Sequence, residues 1–153
     1  LRPGMLDDFG LAAAIEWHAQ EFQERTGIHC DCDALMPEPP LSRAQATALF
    51  RIFRETMTNV ARHAKATRVR ISLLVEHKAL QLQVEDNGRG MPPGALAGTH
   101  SLGLVGMRER ASLLDGSLVI SETRGGGTTV RVSIPLVPIP SDDGELVRRH
   151  EEP

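Results

Sequence analysis

The chain has 153 residues, 17 Lys and Arg against 20 Asp and Glu, and a formal net charge of −3. One domain is the expectation at this length, a 41% apolar content is enough for a packed core, and no broad basic footprint points to nucleic acid as the main partner. No apolar run is long enough to span a bilayer and no secretory leader is visible, so a soluble, cytoplasmic chain without membrane contact is expected, whether or not a longer parent is membrane-anchored.

Residues 1–10 carry Pro3, Gly4 and Gly10 and read as a linker entering a helix. Over 11–25, Leu11, Ile15, Trp17, His18 and Phe22 recur at near-helical spacing, and Gly27 is a natural stop. A short strand fits 28–33. On it Cys30 and Cys32 would point to one face. With no second cysteine pair to complete a metal site, they read as reduced structural thiols. Met36-Pro-Glu-Pro-Pro is a break. Ser42-Arg-Ala-Gln45 then forms a capping box that opens a helix to about Ala64, with Leu49, Ile52, Phe53, Thr56 and Val60 as its buried stripe. Val69, Ile71, Leu73 and Val75 alternate as a strand. His77-Lys78 turns the chain into a second strand over 79–86. The segment 87–101 is rich in Gly and Pro. A helix is expected over 103–114, ending near Asp115-Gly116. Two strands, around Leu118–Ile120 and Val130–Ile134, flank Gly125-Gly-Gly127. Residues 137–153, Pro-rich and then charged, are expected to be a disordered tail. The order predicts an α+β fold, a two-layer sandwich with a mixed sheet and three main helices.

Three segments carry chemistry. Asp86-Asn-Gly-Arg-Gly90 ends an alternating run, so a strand delivers a carboxylate to its tip with a glycine pair behind it. That suits a flat polar ligand that approaches the backbone closely. Glu55, Asn59 and His63 recur at steps of four along one helical stripe, with Arg62 beside them. An amide oxygen can ligate Mg²⁺, a carboxylate can polarise water or accept a proton, and Arg62 and His63 can meet phosphate. The same stripe also reads as a solvated face with ordinary pairs such as Arg51 with Glu55. Ser101-Leu-Gly-Leu-Val-Gly106 opens a helix whose free N–H groups favour phosphate. Gly125-Gly-Gly127 reads as a hairpin turn, and Thr128 is placed to bring its hydroxyl near Asp86.

Taken in order, Glu55-x-x-x-Asn59-x-x-Arg62-His63, Asp86-x-Gly88-x-Gly90, Gly103-Leu104-x-Gly106-Met107-Arg-Glu-Arg and Gly127-Thr128 resemble the ATP-binding catalytic domain of two-component sensor histidine kinases. These belong to the gyrase, chaperone, histidine kinase and MutL superfamily. The Met-Arg-Glu-Arg run is similar to the nitrate/nitrite-sensor class, and Leu1-Arg-Pro…Leu6-Asp…Gly10-Leu resembles the end of its dimerisation helices. The resemblance covers roughly 1–136. It implies a Bergerat-type fold with 1–10 as the end of a dimerisation helix and linker, and 11–136 as the ATP-binding domain. It further implies Asn59 as the Mg²⁺ ligand, Glu55 as the acid/base or water-orienting residue, and Arg62 and His63 on phosphate. Asp86 would accept from the adenine amino group, with Gly88, Gly90 and Met91 around the base and Thr128 in support. Gly103, Leu104 and Gly106 would form the end of a lid over the phosphates. Many relatives have glycine where Ser101 stands; a serine there can still donate to phosphate.

The function so implied is binding of Mg-ATP for autophosphorylation of a histidine in a separate dimerisation domain, which this chain lacks, so the chain alone is not expected to autophosphorylate efficiently. The implied partners are that domain and a response regulator, of the kind with LuxR-type DNA-binding domains. The rivals are a related-fold ATPase or anti-sigma-type serine kinase, and a nucleotide-binding module without catalysis.

Overall fold

The computed structural model describes residues 4–34, 38–90 and 102–136. Their elements, in chain order, are α1 (Gly4–Thr26), β1 (His29–Ala34), α2 (Arg43–Asn59) running into a π-helical turn (Val60–Ala64), β2 (Arg68–Glu76), β3 (Ala79–Asp86), α3 (Leu102–Leu113), β4 (Ser117–Glu122) and β5 (Thr128–Pro135). The strands form one sheet in the order β1-β2-β3-β5-β4. β1 and β2 are parallel and the other pairs antiparallel. This is the α+β architecture of three helices and an open mixed sheet that the pattern of elements predicts.

The register explains how the layers bind. Ile71 stands opposite Val84, Leu82 opposite Val132, and Ile120 opposite Val130. Alternate residues therefore line one face, and the buried faces of the helices pack there. Cys30 and Cys32 share that face, half-buried as free thiols. Burial first, with Asp31 adding to it for Cys30 and Glu16 for Cys32, pushes each thiol up to about 11 and keeps both protonated at neutral pH. No helix among the described residues is long and apolar enough to cross a membrane.

Several local expectations hold. Ser42 Oγ accepts from Gln45 N–H at 3.0 Å while the Gln45 side chain accepts from Ser42 N–H at 2.9 Å, a complete capping box. His77 and Lys78 both have positive φ, the backbone a two-residue hairpin turn requires. Others change. Residues 4–9, read as a linker or the end of a dimerisation helix, are helical, and the chain breaks at Gly10 (φ 89°, ψ 179°) inside α1. Trp17 is off the buried stripe at 52% exposure, because it lies two residues from Ile15, on another side of the helix. His18 is half-buried and meets Phe50 and Phe53 edge-on at 6.0 and 5.4 Å. The helix reaches Ala64 only by widening into the π-helical turn, with Lys65 in the left-handed region as its cap. Residues 91–101 and 137–153, with the expectations that fall on them for Met91, Ser101 and the tail, lie outside the described residues.

Candidate functional site

The alternation of β3 decides where Asp86 points. Leu80, Leu82 and Val84 face the core, and Asp86 continues that row at 6% exposure, where an apolar residue would be the default. A buried carboxylate needs donors. Oδ1 accepts from Gly88 N–H at 2.9 Å and from Thr128 N–H at 3.3 Å. Oδ2 has no protein partner among the described residues, and Asp86 lines a cavity of about 220 Å³. Thr128 therefore meets Asp86 through its backbone amide, where the sequence pointed to its hydroxyl.

The glycines around Asp86 serve the protein before any ligand. A Cβ at Gly88 would lie 2.1 Å from the Ala64 carbonyl oxygen, and one at Gly127 (φ 102°) would lie 1.9 Å from the Asp86 carbonyl oxygen. Both sites admit only hydrogen because two backbones touch there. Gly90 (φ 75°) faces Gly127 more loosely, its Cβ position 3.5 Å from that residue's oxygen. Arg89 closes the joint by donating from its amide to Ala64 O and from Nε to His63 O, both at 2.7 Å. Asn87 holds the other side. Its Oδ1 accepts from Thr67 and Arg68 N–H at 2.9 and 3.0 Å, and its Nδ2 donates to Thr67 Oγ1. Sequence reading passed over Asn87 and Arg89. An Asx side chain just past a strand end was the available signal.

The cavity lies between the last turns of α2, the start of α3 and the sheet. Of the candidate site residues, Asn59, His63, Asp86, Gly90, Leu104 and Thr128 line it. Its apolar walls are Val60, Ala64, Ile120 and Val130, and Thr56 and Arg89 complete it. Thr56 was assigned to the buried stripe. It is buried, and its hydroxyl donates to Ile52 O at 2.8 Å with Met107 Sδ at 3.5 Å. Glu55 and Arg62 are not among the lining residues. Arg62 is exposed. Glu55 turns toward α3, where a Cβ on Gly103 would stand 2.6 Å from its Oε1. A Cβ at Gly103 would displace only the end of the flexible Glu55 side chain. Gly106 would meet only Arg110 Nη1, at 3.6 Å, so packing does not demand a glycine there. No Arg51–Glu55 ion pair forms, and the side chains of Asn59, Arg62 and His63 have no hydrogen-bond or ion-pair partner among the described residues.

A carboxylate oxygen without a donor among the described residues, in a cavity with apolar walls, can accept from a flat ligand's amine. Unpartnered amide and imidazole groups near its mouth can meet a charged extension of the same ligand.

Comparison with known proteins agrees with this chemistry. Residues 44–138 match the family of histidine kinase-, DNA gyrase B- and HSP90-like ATPases. The chain is 42% identical over 136 residues to the signal transduction histidine-protein kinase/phosphatase UhpB of Salmonella typhimurium, covering 88% of this chain and 26% of that protein. It is 35% identical over 136 residues to the kinase/phosphatase DegS of Brevibacillus brevis, covering 89% and 35%. It therefore spans about a quarter to a third of the curated relatives it matches. The histidine kinase domain of the Erythrobacter litoralis EL346 blue-light activated histidine kinase superposes with a TM-score of 0.70 at 26% identity, over 82% of this chain and 61% of that one. The chain belongs to the histidine kinase-, DNA gyrase B- and HSP90-like ATPase family and is an ATP-binding catalytic domain of the sensor histidine kinase type.

Proposed function

We propose that this domain binds ATP with Mg²⁺ and presents the γ-phosphate to a histidine in a separate dimerisation domain, joined to it through residues 1–10, in a cytoplasmic two-component pathway that ends on a response regulator. The observation that carries the reading is Asp86. Two backbone amides hold Oδ1, which leaves Oδ2 to accept from the adenine amino group between the walls made by Val60, Ala64, Ile120 and Val130. The residues present fit the metal as well. Asn59 offers a hard, unpartnered amide oxygen at the cavity, the donor type Mg²⁺ takes in small number while keeping its waters. When bound, the ion neutralises charge on the phosphates. His63 and Arg62 stand on the adjoining turn to meet phosphate oxygens, and Leu104 brings the start of α3 to the same cavity. Met91 is assigned to the surroundings of the base, and Ser101, Gly103 and Gly106 to the lid, on the strength of their motifs.

The position of Glu55, beside Gly103 and not among the residues that line the cavity, favours the rival of a nucleotide-binding module without phosphotransfer. In the kinase reading, Glu55 orients the attacking group once α3 shifts over the nucleotide.

Titration with a fluorescent ATP analogue, with and without Mg²⁺, tests the proposal. Binding that Mg²⁺ tightens and that Asp86→Ala weakens about 100-fold is expected, since the base then leaves a polar group unpaired. Binding indifferent to both would sink it.

A further inference from the structure

The break in α1 is made by a residue 28 positions away in sequence. Glu38 lies on the connection between β1 and α2, and its Oε1 accepts from Leu11 N–H at 3.0 Å while its Oε2 accepts from Ala12 N–H at 3.1 Å. In an unbroken helix those two amides would donate to the carbonyls of Asp7 and Asp8. One carboxylate replaces both, at a helix N-terminus whose dipole favours negative charge. Gly10 makes room for it. Its backbone (φ 89°, ψ 179°) suits glycine, and a Cβ there would stand 1.9 Å from Glu38 Oε1. On the near side of the break Leu6 is 4% exposed within the main core, so residues 4–9 are seated on the domain at a defined angle.

Chain direction places this joint. The π-helical turn, the end of β3 and the start of β5 gather at the cavity, whereas the start of α2 and the β2–β3 turn lie at the opposite end of the sheet. β1 runs parallel to β2, away from the cavity, so Glu38 and Gly10 belong to that far end.

We propose that Glu38 is a positioning residue: its carboxylate, by capping the helix that begins at Leu11, holds Gly10 bent and fixes the direction in which residues 4–9 leave the ATP-binding domain. The competing arrangement is a straight helix, in which Leu11 and Ala12 donate within α1 and Glu38 is released. Two packings of one segment, exchanging the same two amides between two acceptor sets, make a bistable joint. Its consequence for phosphotransfer, the stance of an acceptor domain against the nucleotide, rests on the function proposed above. The joint itself does not.

The test is a distance. Spin labels at Phe9→Cys and Val119→Cys, both exposed positions, are placed in the full chain with Cys30→Ser and Cys32→Ser. Pulsed dipolar spectroscopy on the parent is expected to give one narrow distribution. Glu38→Ala and Gly10→Ala remove opposite halves of the joint, so both are expected to move the mean by several ångströms to the same new value. Glu38→Gln, which keeps one acceptor oxygen, is expected to show both populations. Circular dichroism and the ATP-analogue titration serve as fold controls and should match the parent. Unchanged distributions in Glu38→Ala and Gly10→Ala would overturn the proposal. So would shifts that come only with loss of fold, which would make Glu38 a general support of the domain. The distance needs no nucleotide, so a parent that fails to bind ATP would overturn the proposed function and leave this joint standing.

Discussion

The end of β3 and the polar stripe of α2 meet at one cavity, yet they are built oppositely. Around Asp86 the polar groups are matched within the protein, Asp86 Oδ2 excepted among the described residues. Oδ1 takes two amides, Asn87 staples the start of β2, and Arg89 closes the carbonyl end of the helix. Along Asn59, Arg62 and His63 no side chain has a partner among the described residues. The difference teaches which half of the site folding completes. The Asp86 half is tied together by the protein's own hydrogen bonds, while the side chains along the α2 stripe stay open to solvent or, in the function proposed above, to phosphate and its cation.

That contrast can be broken most forcefully at Gly127. Gly127→Ala drives a Cβ into the Asp86 carbonyl oxygen at positive φ, and a loss of about 3 kcal/mol or more is expected. Gly125→Ala shares the positive φ but meets nothing within 4 Å, and should lose only about 1 kcal/mol. Urea melts of the pair decide it; equal losses would mean that contact with Asp86 does not set the rigidity. The stripe should respond the other way. Asn59→Ala removes no protein contact, so stability should stay within about 0.5 kcal/mol of the parent. The gain in nucleotide affinity from Mg²⁺ should nonetheless fall about tenfold or more. A destabilised Asn59→Ala with its Mg²⁺ dependence intact would reverse the comparison.

The smallest effect lies outside the site, at His18. Burial between α1 and the Phe50–Phe53 pair lowers its pKa below 6.5, with Arg54 and Arg25 adding to the shift and Glu21 opposing it. Between that lowered value and 6.5 the unfolded chain holds more protons than the folded one. This contribution is therefore complete above pH 6.5 and is lost as pH falls. Melting temperatures of the parent and His18→Leu, compared from pH 7 down to pH 5, should show a steeper decline in the parent. Parallel curves would mean that protonation of His18 is not resisted.

Much of this was legible in sequence because it is local. The Ser42–Gln45 box, the alternation of β2 through β5 and the His77–Lys78 turn each depend on neighbours a few residues apart. The four motifs identified the family because each carries chemistry at fixed spacing. What escaped is non-local. Gly10 looked like a linker residue because Glu38, which defines its break, is 28 residues on. Gly88 and Gly127 carry, beside the roles their motifs imply, a packing constraint from the backbones of Ala64 and Asp86 that spacing does not show. Trp17 was miscounted because near-helical spacing was read too loosely over a stripe that alanines share. Glu55 shares the stripe of Asn59 and His63, but its carboxylate lies beside Gly103 on the neighbouring helix and Glu55 is not among the lining residues, a placement that stripe spacing alone does not reveal.

The joint between Arg89 and the end of the helix also has a kinetic meaning. Helices commonly finish their last turn with residues next in sequence, so the turn can form alone. Here the carbonyls of His63 and Ala64 wait for Arg89, beyond two strands that must first pair. The final turn of this helix is a late, non-local event with the entropy cost of closing that loop. It should open and close with the β2–β3 hairpin as one cooperative unit, so the turn that carries Arg62 and His63 gains its order from the sheet.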